Sequence, residues 1–177
     1  MKVAIVGGTG TFGRALAHRL HQLGEDVSIG SREAKRARER ALETGAALAD
    51  AIGDTPVLCV ASDLRFTDIG IVPGLEEGSL AENLAELLRA PVASGLQSIS
   101  AIDLSGPEPP DQDALICGDD PRAKGLALEL AGRLVGGRAV DVGPLANSRA
   151  LEGMTAVILN VNKEFGVHAG LRLTGLP

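Results

Sequence analysis

Residues 8–13 read Gly-Thr-Gly-Thr-Phe-Gly, and Gly7 stands just before them. The spacing is G-x-G-x-x-G. An apolar run, Val3 to Val6, leads into it, and a stretch with helical periodicity follows. In that strand–turn–helix setting each glycine has a task. Gly8 permits the tight turn. Gly10 leaves the backbone bare for the approach of a pyrophosphate. Gly13 lets the helix pack closely on the strand. The phosphates would rest on free N–H groups at the positive end of the helix dipole. Thr9 and Thr11 can add hydroxyl donors. A ligand-free turn explains four glycines in seven residues poorly, because each costs conformational entropy on folding.

About twenty residues further on, a chain that binds NAD places Asp or Glu against the ribose 2′-hydroxyl. This chain has Gly30-Ser31-Arg32 there, with Lys35 and Arg36 one turn later. A carboxylate would repel a 2′-phosphate, whereas Ser31 and Arg32 can bind one through charge-assisted hydrogen bonds. The residues therefore point to NADP(H). Arg38, Glu39 and Arg40 read as the solvated face of a charged helix.

The elements that must position these groups follow from periodicity and punctuation. Strands are expected at 2–6, 26–30, 56–61, 114–118 and 137–143, with further strands in "DIGIVPG" and "PVASGL". Helices are expected at 11–23, 32–44, 80–89, 121–134 and 145–165, with a brief one in "ALADAIGD". The Pro-rich and charged stretch 105–113 reads as a surface loop. This alternation predicts an α/β fold, a Rossmann-like, doubly wound and mostly parallel sheet with a small C-terminal helical portion. Residues 1–95 form the dinucleotide-binding part. Residues 96–177 complete the sheet and the substrate cleft without forming an independent domain.

Composition narrows the partners. The chain has 177 residues and a net charge of −6, with three Phe, no Trp and no Tyr. Acidity argues against a nucleic-acid surface, and the lack of rings argues against a base-stacking platform. No apolar run is long enough to span a bilayer, so a cytoplasmic protein is expected. Cys59 and Cys117 lie in apolar runs and read as buried thiols, not as a disulfide or a zinc site. His18 and His21 read as solvated, and the role of His168 is open.

The stretches "GGTGTFGRALAHRL" and "IGSRE", then "CGDD" at 117–120 and "DVGPLANSRALEGMTAVILN" at 141–160, together resemble the NADP oxidoreductases that use the deazaflavin coenzyme F420. The resemblance implies hydride transfer between NADP(H) and the deazaflavin, in a cleft between the two parts of the chain. Such transfer needs no side-chain nucleophile and no metal, so no catalytic side chain is assigned. By carry-over, Thr9, Gly10, Thr11, Phe12, Ser31, Arg32 and Arg36 match the family's NADP positions, and Ala101 falls near the nicotinamide. Gln97 stands where the family usually has a His beside the deazaflavin. It can hydrogen-bond a ring carbonyl but carries no proton or charge. Members of the family are longer, and the missing length falls on either side of "PVLCVA". Two other readings stay open: an NADPH-dependent reductase of a pterin, flavin or imine, and a non-catalytic NADP(H)-binding sensor or subunit.

Some polar residues have competing roles. Asp119 and Asp120 precede Pro121 and read first as a helix cap. Asn147, Ser148 and Arg149 open the last helix. They provide a cap, a dimer contact, or cleft polarity, the last making Asn147 a candidate substrate contact. Asn160 and Asn162 sit in an apolar helix and must find partners. The apolar face of that helix suggests a homodimer.

Overall fold

The computed structural model describes residues 1–6, 9–30 and 49–176. β1 (Lys2–Val6) leads into α1 (Thr11–Gln22) and β2 (Asp26–Gly30). β1 and β2 pair in parallel, from Lys2 opposite Asp26 to Val6 opposite Gly30. Then come β3 (Val57–Cys59), the hairpin strands β4 (Leu64–Thr67) and β5 (Gly70–Pro73), α2 (Leu80–Leu87), β6 (Val92–Gly95) and a single-turn helix, α3 (Ala101–Leu104). β7 (Ala114–Gly118), α4 (Pro121–Leu134) and β8 (Ala139–Asp141) follow. A 3-10 turn at Leu145–Asn147 starts the last helix, α5 (Ser148–Phe165).

The class is the expected one, parallel strands with helices between them, but the sheet differs from the single one predicted. Among the described residues the ladders form three groups: β1-β2, the four-stranded β3-β6-β7-β8, and the hairpin β4-β5. β6 and β7 run antiparallel, while β3-β6 and β7-β8 are parallel. Packing joins what the ladders separate. One core gathers Ile5, Leu16 and Leu20 with Leu96, Leu104, Ile116 and Leu134. β7 is buried along its whole length. Its Ala114 and Ile116 enter that core, and its Leu115 and Cys117 face Leu151 of α5 on the other side. A strand covered on both faces reads as a continuous apolar run, as "ALICG" does.

Local signals account for most of the boundaries. Asp120 accepts from the Ala123 N–H at 2.8 Å, with Pro121 in the first turn, so Asp120 is the expected cap. Asp119 instead accepts from the Leu145 N–H at 3.0 Å and ties down the 3-10 turn. Ser79 accepts from the Glu82 N–H and starts α2. Two elements depart from expectation. Residues 64–73 form a two-stranded hairpin where one strand was expected, and α3 was not foreseen. The helix expected at 32–44 lies outside the described residues. No helix among those described is long and apolar enough to cross a membrane.

Candidate functional site

The first half of the site is the junction of β1 and α1. Gly10 occupies the N-cap position of α1, no side chain caps this end, and its first turn holds no acid. Serines cap α2 and α3, and Asp120 caps α4, whereas α5, like α1, has no side-chain cap and no acid in its first turn. The N-terminus of α1 lies beside exposed Thr9, Gly10 and Thr11. Phe12 and Gly13 are half-buried, and Phe12 packs on the main core. That anchors the first turn. Gly7, Gly8, Ser31, Arg32, Lys35 and Arg36 lie outside the described residues.

The second half lies beyond the end of β6. Here a Cβ on Gly95 would come within 2.2 Å of Ile116 Cδ1 and 2.7 Å of the Leu115 carbonyl, so only glycine lets β7 approach. The next residue, Leu96, is fully buried yet holds φ 71°, a left-handed conformation that costs energy in any non-glycine residue. This turn brings Gln97 back over the strand ends. Its Nε2 donates to the Cys59 carbonyl at 3.2 Å and to Ser94 Oγ at 2.8 Å, and its Oε1 is buried without a partner. Its backbone carbonyl accepts from Thr155 Oγ1 at 3.0 Å, and Ser62 Oγ lies 2.7 Å from that same hydroxyl. Since Thr155 has donated its proton to Gln97, Ser62 is the donor in that contact. A chain of hydroxyls therefore links β3, β6 and α5. Ala101, at the start of α3, is half-buried against the core, and α3 packs along α1.

Beside these groups an open cleft of about 280 Å³ runs between the hairpin, α2 and α5, bordered by Asp63, Leu75, Arg149 and Glu152. Glu152 is buried and accepts from the Leu80 and Ala81 N–H groups at 3.0 and 3.2 Å. Burial pushes its carboxyl above the usual range, against those two hydrogen bonds, and the nearby charges of Glu82 and Asp63 add to the effect. The thiols are poor nucleophiles: burial raises Cys59, and pushes Cys117 up to about 11. Among the described residues, no cluster of His, Cys, Asp and Glu is placed to hold a metal ion.

The remaining polar candidates serve the fold. Asn147 is exposed and donates to the Val142 carbonyl at 2.6 Å, bracing the turn after β8 instead of bordering the cleft. Asn160 pairs with both backbone groups of Ile71, and Asn162 accepts from the Ala169 N–H. His18, His21 and His168 are exposed. Sequence reasoning did not single out Ser62, Glu152 and Thr155. A lone carboxylate among small and apolar neighbours of the last helix was the one available signal for Glu152.

A family model described as NADP oxidoreductase, coenzyme F420-dependent, matches residues 2–65. An F420-dependent NADP reductase of Methanothermobacter marburgensis is 33% identical over 225 alignment positions, covering 100% of both chains. The chain belongs to the F420-dependent NADP reductase family. A reductase of the same name from Methanocaldococcus jannaschii is 30% identical, with 99% of each chain covered. Both alignments are longer than this 177-residue member of the family, so its relatives carry stretches that it lacks. For the fold, a crystal structure of a protein from Arthrobacter sp. FB24, proposed to be an F420-dependent NADP-reductase, matches with a TM-score of 0.81 at 23% identity. It covers 98% of this chain and 99% of that one. An imine reductase of Streptomyces aurantiacus shares the fold more distantly, with a TM-score of 0.54 at 18% identity.

Proposed function

We propose that this chain is an oxidoreductase that transfers a hydride between NADP(H) and coenzyme F420. The observation that carries this is the likeness to reductases of that name along the entire chain, at 33% identity. The uncapped, acid-free N-terminus of α1 fits the pyrophosphate of the dinucleotide. Thr9, Gly10, Thr11, Phe12 and Gly13, with Gly8 before them, form its cradle. Ser31, Arg32 and Arg36 receive the 2′-phosphate. Ala101 offers a small side chain beside the nicotinamide. When both coenzymes are bound, one supplies the hydride at its nicotinamide ring and the other accepts it at the deazaflavin. The protein contributes closeness, orientation and exclusion of water. The same reading places the protein in the cytoplasm, working as a homodimer of units in which parts 1–95 and 96–177 share one core.

The test is an anaerobic mixture of purified protein, NADPH and oxidised F420, followed by the visible absorbance of the deazaflavin. Bleaching that requires the protein is expected. A second reading, an NADPH-dependent reductase of a pterin, flavin or imine, is favoured by one observation: the relatives carry stretches for which this chain has no counterpart. NADPH binding without bleaching would overturn F420 as the partner and leave that reading, or a non-catalytic NADP(H) sensor.

A further inference from the structure

We draw no further inference here: the strongest candidate, the open cleft between the β4-β5 hairpin, α2 and α5, belongs to the site already described, and its one buried charged side chain, Glu152, has both carboxylate oxygens engaged by the Leu80 and Ala81 N–H groups, so no unpartnered group aimed into the cleft points to a further ligand.

Discussion

Asp113 shows how one side chain secures an edge of the molecule. It is fully buried at the start of β7. It accepts from the Arg138 N–H, Nε and a terminal guanidinium nitrogen at 2.9, 3.3 and 2.8 Å, and from the Leu173 N–H at 2.8 Å. The Arg138 side chain, above all, holds this carboxyl well below the usual carboxylate range, and the backbone donors add to it. A carboxyl whose folded pKa is depressed stabilises the fold fully above its unfolded value of about 3.9, and loses that contribution as pH falls towards its folded value. Asp113→Asn is therefore expected to lower Tm by several degrees at neutral pH, with the gap from wild type narrowing below about pH 4. Thermal melts across pH 2.5–7 check this, and a gap that stays constant into acid would refute it. None of this was visible in "DQDALICG". Asp113 reads there as one more loop acid, because its partners lie 25 and 60 residues further along the chain. Gln97 is a similar case. Its residue type was legible as a candidate contact, but the direction of its hydrogen bonding depends on the Cys59 carbonyl and on a left-handed Leu96, and leucine gives no local hint of that conformation.

Elements with their own punctuation were legible. The expected spans of β1, α1, β2, β7 and α4 match the structure within a residue, because glycines, a Pro at the first helical position and buried apolar runs mark them. The hairpin was not. Its turn, Thr67-Asp68-Ile69-Gly70, lacks the Asn-Gly or Asp-Gly signature of tight hairpins, and α3 is too short to show a period. What fixes the hairpin is remote. Asn160 on α5 accepts from the Ile71 N–H at 2.9 Å and donates to the Ile71 carbonyl at 2.7 Å, acting as a surrogate strand along the outer edge of β5. Gly70 makes room for it, since a Cβ there would lie 2.9 Å from Asn160 Oδ1. Replacing Asn160 by Ala should cost about 1–2 kcal/mol, concentrated in the hairpin. Hydrogen exchange should quicken for amides of residues 64–73 and stay unchanged in β6 and β7. Uniform quickening would show that Asn160 supports the whole fold instead.

At the scale of the molecule, the surface presents apolar side chains that a net charge of −6 does not hide. Ile69 is 94% exposed and Phe66 76% on the hairpin, while Val157, Val161 and Phe165 recur at helical spacing on α5, Phe165 being 71% exposed. The proposed homodimer buries this face. Sedimentation should give twice the chain mass for wild type, and the single mass for a Val157→Glu, Phe165→Glu double variant. A monomeric wild type would reject the dimer. The same helix is tied to the sheet from its other side. The Thr155 hydroxyl pins α5 to the end of β6 and to Ser62. The helix is therefore anchored on its buried side, so its outward apolar face is presented at a fixed angle. The proposed second copy would thus meet a preset template, and pairing would cost little ordering of the helix.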